Sequence, residues 1–144
     1  MLFPEYVDLK TARNYVRSPE AVDLSRASGI SEAAARVVAT LPRPLSLDGL
    51  SEVPFGVARM LARHDAPLSL CGLIDLPVET ARILAGHRGK LLFHGVTHLA
   101  VETAQALSAH QGTLAFRGMA RLSGAAAHAI SGNRGALLFN GLSH

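Results

Sequence analysis

At 144 residues the chain fits one domain, and a composition of 49% hydrophobic and 17% charged residues excludes a disordered polymer. A net charge of +3 falls short of the basic excess of a nucleic-acid binder, and no apolar run reaches the ~18 residues of a bilayer span. With no Trp and 5% aromatic residues, any core must be aliphatic.

The first residues, Met1-Leu2-Phe3-Pro4-Glu5, lack a basic stretch followed by an apolar one, so no secretory signal is expected. The single cysteine, Cys71, rules out an internal disulfide and fits a reducing, cytoplasmic setting. Residues 1–21 read as a half unit that opens the chain. Val7, Ala12 and Tyr15 carry the stripe of a helix over 8–17, and Asp8 is placed to be its N-cap.

From 22 to 136 the sequence recurs with a period of 23 residues, giving five units. Leu45-Ser-Leu-Asp-Gly-Leu50, Leu68-Ser-Leu-Cys-Gly-Leu73, Leu91-Leu-Phe-His-Gly-Val96, Leu114-Ala-Phe-Arg-Gly-Met119 and Leu137-Leu-Phe-Asn-Gly-Leu142 align, with a more divergent unit beginning at Val22. Unit positions 1 and 3 are apolar and positions 2 and 4 vary, the period of two of a short strand with one buried face. Gly49, Gly72, Gly95, Gly118 and Gly141 follow, where positive φ or close backbone packing is expected. Apolar residues at positions 6 and 9 plug the turn. Ser31, Pro54, Pro77, Ala100 and Ser123 then stand where a helix begins.

The helical half carries apolar side chains at positions 10, 13, 14 and 17, with an alanine column of Ala35, Ala58, Ala81, Ala104 and Ala127. His64, His87, His110 and Asn133 follow, and Gly89, Gly112 and Gly135 come two residues after the last three, as helix stops. The histidines are expected to complement the helix C-termini. Residues 137–144 form a terminal strand and turn.

Strand, turn and helix in 23 residues cannot bury their apolar faces alone, so neighbours must stack with parallel strands ~4.8 Å apart. The expected fold is one right-handed α/β solenoid, strands on one side and helices on the other. The pattern resembles the leucine-rich-repeat proteins, in particular their short bacterial type. Its spacing is also similar to the cysteine-containing subclass, with Leu50, Leu73, Val96 and Met119 where that subclass has Cys. The turn has no Asn, so no asparagine ladder is expected. The resemblance implies a non-catalytic protein-interaction scaffold.

Positions 2 and 4 mark the binding face: Asp48, Cys71, Leu92, His94, Arg117, Leu138 and Asn140. A Cys71–His94 dyad fails as a catalytic pair, because Asp48 would stand beside the thiol and Arg117 beside the imidazole. No catalytic residue, cofactor or metal site is therefore expected. The stacked His64, His87 and His110 lack a cysteine or carboxylate column to complete a metal set. Arg13, Arg36, Arg59 and Arg82 line up on the outer helix face, offset by Glu32 and Glu79 and without interleaved aromatics. That argues against nucleic acid. Two further readings fit the pattern: self-association into a homo-oligomer through the terminal strand Leu137–Phe139, and a piece of a longer repeat array.

Overall fold

A computed structural model describes residues 1–119, 122–133 and 135–139. The fold is α/β, with six α-helices and short parallel strands in two sheets. In chain order the elements are β1 (Tyr6–Val7), α1 (Leu9–Arg17), a 3-10 turn (Pro19–Ala21), β2 (Gly29–Ile30), α2 (Glu32–Val38), β3 (Leu45–Ser46) and α3 (Phe55–Leu61). Then follow β4 (Leu68–Ser69), α4 (Val78–Leu84), β5 (Leu91–Leu92), α5 (Val101–Leu107), β6 (Leu114–Phe116), α6 (Gly124–Ile130) and β7 (Leu137–Phe139). Among the described residues no helix is long and apolar enough to cross a membrane.

Strands β3 to β7 form one parallel sheet in sequence order, and each residue pairs with the one 23 positions on: Leu45 with Leu68, Leu68 with Leu91, Leu91 with Leu114, Leu114 with Leu137. The helices follow the same order, each packing on the next. Position 1 and position 3 side chains point into the space between sheet and helices, and Leu45, Leu47, Leu68, Leu70, Leu91, Phe93, Leu114 and Phe116 are all buried. Burying each such side chain stabilises the fold by roughly 1.5–3 kcal/mol before entropy is counted. The alanine column lets the helices lie close to the sheet, and Ala35, Ala58, Ala81 and Ala104 are fully covered. Phe93, Phe116 and Phe139 stack in file, with ring centroids 5.6 Å apart at both steps.

Helix starts follow the local chemistry. Asp8, Ser31 and Ser123 are N-caps whose side chains accept from Thr11, Ala34 and Ala126 backbone N–H. Pro54 and Pro77 hold the N-cap position itself, one residue before the first turn where proline was expected. Gly141 lies outside the described residues, and Gly49, Gly72, Gly95 and Gly118, at the ends of the strand turns, have no positive φ. They are required by close approach: a Cβ at Gly72, Gly95 or Gly118 would come under 3.0 Å from the carbonyl oxygen of Asp48, Cys71 or His94.

Two expectations are corrected. Gly89 and Gly112 do not stop helices, because α4 and α5 end at Leu84 and Leu107 and their caps, Ala85 and Ser108, are right-handed. These glycines lie farther on, where the loop backbones of successive units touch. At the start of the chain, Leu2 bridges to Val22 in parallel, so a strand position accompanies the helix predicted for residues 8–17. The bridge spans 20 residues instead of 23, which hides it from a fixed period.

Candidate functional site

The position 4 side chains arise where each strand turns toward its helix. Asp48 is half-buried, and its carboxylate joins three backbone or side-chain donors. Oδ1 accepts from Ser69 Oγ at 2.5 Å and from Cys71 N at 2.9 Å, and Oδ2 accepts from Ser46 Oγ at 3.0 Å. Burial works against the charge, but the bonds from Ser69, Cys71 and Ser46 outweigh it and hold the carboxyl below its ordinary pKa. Asp23 behaves in a similar way in the preceding unit, taking bonds from the Ser25 hydroxyl at 2.6 Å and the Ser25 amide at 2.9 Å.

Cys71 is free and half-buried. Its Sγ lies 3.3 Å from Ser69 Oγ and 4.0 Å from the Leu92 carbonyl oxygen. Among the described residues it makes no hydrogen bond to His94. Burial lowers the His94 pKa, the Arg117 guanidinium lowers it further, and the Asp48 carboxylate pulls the other way. The imidazole thus lies within the fields of both charges, and the face runs from acidic at Asp48 to basic at Arg117.

Of the predicted binding residues, Cys71, Leu92 and His94 are half-buried with Asp48, whereas Arg117 and Leu138 are exposed. Asn140 lies outside the described residues. Leu92 pairs in register with Ser69 and Ala115, and Ala115 with Leu138. Ala115, the small residue between two leucines on that row, is fully covered.

The histidine column was expected to complement helix C-termini, and the structure gives it another task. His64, His87 and His110 are at most 1% exposed and stack at 5.7 and 6.2 Å between ring centroids. His64 Nε2 donates to the Arg43 carbonyl at 2.8 Å, and His110 Nε2 to that of Gly89 at 2.9 Å. His87 Nδ1 accepts from Gly89 N at 3.2 Å. Asn133, next in the column, repeats both moves: its Oδ1 accepts from Gly135 N at 2.8 Å and its Nδ2 donates to the His110 carbonyl. A neutral imidazole offers one donor and one acceptor, as a carboxamide does, so it can knit one loop to the preceding one. Burial, with the neighbouring His64, pushes the His87 pKa down to about 4, and burial lowers that of His110. A charge there would be desolvated, so no helix-dipole role is open to it.

On the outer helix face Arg13, Arg36, Arg59 and Arg82 are exposed. The Arg82–Glu79 pair forms at 2.8 Å and is the one ion pair among the described residues. Glu32 lies against Gly56 instead of pairing with Arg36. Among the described residues no three His, Cys, Asp or Glu side chains group as a metal site would need.

The recurrence-based reading missed two exposed apolar side chains, Phe55 at 51% and Ile74 at 62%. Ile74 breaks its column, standing where Ser28, Ser51 and Thr97 stand in other units, and that mismatch was the available signal. Phe55 shares its position with Val78 and Val101 and is the bulkiest side chain there. No protein-family model, curated protein or solved structure matches the chain.

Proposed function

We propose that the chain is a right-handed solenoid of the leucine-rich-repeat kind and serves as a non-catalytic scaffold that binds a partner protein across its strand face. Register at 23-residue intervals and sequential helix packing support the solenoid. One observation carries the binding reading. Along position 4 the side chains change kind at each step, Ser25, Asp48, Cys71, His94, Arg117, while the buried columns around them stay aliphatic or aromatic. A fixed frame presenting variable, partly exposed groups is suited to recognition. The carboxylate of Asp48 is taken up by Ser46, Ser69 and the Cys71 amide, and the Cys71 thiol makes no hydrogen bond to an imidazole among the described residues.

Charge reversal by Arg117→Glu tests this. Because Arg117 is exposed, the variant should unfold at the same urea concentration as the parent, yet retain about ten-fold less partner in an affinity capture from native extract. Unchanged capture would count against the strand face.

A second reading is assembly through the ends of the stack. It is favoured by Leu138, 38% exposed on the last strand in sheet order, and by exposed Leu2 at the bridge beside Val22. On that reading Leu138→Lys reduces the size measured by light scattering over a concentration series, and a strict monomer at every concentration would end it.

A further inference from the structure

We propose a second docking site, away from the strand face: a groove at the strand-to-helix turns that takes a partner segment in which large apolar side chains are flanked by basic residues. The groove holds about 650 Å³ and is built from two successive units. Its floor is apolar, with Val53 and Leu73 buried and Phe55 and Ile74 exposed; Glu52 and Asp75 supply its charge.

Three features select this occupant. First, among the described residues Phe55 and Ile74 are the large apolar side chains left exposed away from the first and last strand positions. Leaving two such groups in water side by side forgoes burial that serine or threonine, found at the Ile74 position in other units, would not sacrifice. Second, Glu52 and Asp75 are both exposed, and neither takes part in an ion pair among the described residues. In a chain of net charge +3 this is a local reversal of sign. Two unpaired carboxylates beside an apolar floor attract a cation and repel phosphate, which disfavours nucleic acid and anionic headgroups. Third, the frame is rigid. Pro54 and Pro77 fix the backbone on either side, and the 23-residue register sets the spacing between the two turns.

This groove is independent of the strand face, and one set of probes separates the two. The probe is a fluorescent hexapeptide with Leu-Phe at its centre and Arg on both sides. Its controls replace Arg by Glu, or Leu-Phe by Ser-Ser. The Arg-flanked peptide should bind at least about ten-fold more tightly than either control, and more weakly as salt rises. Ile74→Ser and Phe55→Ser should each weaken it about ten-fold with unchanged thermal unfolding, while Arg117→Glu leaves it unchanged. Glu52→Lys with Asp75→Lys should transfer the preference to the Glu-flanked peptide. In the unaltered protein, amide shifts on titration should centre on residues 51–55 and 73–77. Equal or absent binding of the three peptides, indifference to the Ser variants, or loss of binding through Arg117→Glu would each overturn the site. None of these results would touch the strand-face reading, which falls only if capture survives the Arg117 change.

Discussion

Phe116→Ala is expected to destabilise the protein by about 3–5 kcal/mol, the upper end of the range for a single core truncation. Phe116 is fully buried on β6, and its ring stacks on Phe93 on one side and Phe139 on the other. Truncation removes the transfer energy of the ring and opens a cavity that two flanking rings, held by their own strands, cannot close. In urea the midpoint should fall. If the units stack as proposed, each contacts only its neighbours, so the loss should be felt locally. Amides of α6 and β7 should then exchange sooner than those of α2 and α3. Phe55→Ser offers the contrast: half-exposed at the start of α3, it should stay within about 0.5 kcal/mol of the parent.

Acidification from pH 6.5 to 4 is expected to remove stability on the order of 3 kcal/mol, chiefly through His87. His87 titrates at about 4 in the fold against an ordinary 6.5, because burial and the His64 ring oppose a charge there. Since the folded pKa is depressed, the unfolded chain binds the proton more readily between those values. The contribution is complete above pH 6.5 and is lost as pH falls toward 4. His110 and His94 are shifted in the same direction and add to the loss. Asp8, Asp23 and Asp48 have lowered pKa values, so their share is present above about 3.8 and disappears only below it. The two windows are therefore distinct. His87→Asn, which installs the group that Asn133 already uses in this column, should remove most of the upper window, leaving the share of His110 and His94, and leave the lower one intact. Urea midpoints measured at half-unit pH steps check this, and a midpoint constant from pH 7 to 4 in the parent would refute it.

Residues whose role is set by burial within a unit were legible in the sequence. Leu68, Leu70, Leu73, Leu76, Ala81 and Leu84 each follow from the period, because a side chain that recurs every 23 residues is answering to the same packing each time. Less legible were the residues that act between units. His64 and His110 look like charges at helix ends until the preceding loop supplies the Arg43 and Gly89 carbonyls that a neutral ring N–H can bind. Thr80 and Thr103 occupy a position expected to be apolar. Thr103 is tolerated because its hydroxyl donates to the Leu76 carbonyl at 3.3 Å in the preceding unit. Ile74 stayed hidden for the opposite reason: it breaks its column, and recurrence reports only what recurs. On the strand face the sequence named the residues but not the bonds from Ser46, Ser69 and Cys71 that fix Asp48 as a member of the frame.

Stacking of the units requires strands 23 residues apart to lie side by side. Ser46 and Ser69 are direct partners across β3 and β4, so their Cα atoms stand about 4.8 Å apart, within the 4.4–6.8 Å that a disulfide spans. Ser46 and Leu92 are two strands apart, at roughly twice that distance. In a Cys71→Ser background, Ser46→Cys with Ser69→Cys should close an intramolecular disulfide under mild oxidation, and Ser46→Cys with Leu92→Cys should remain reduced. Closure of the second pair but not the first, or of neither, would contradict this stacking.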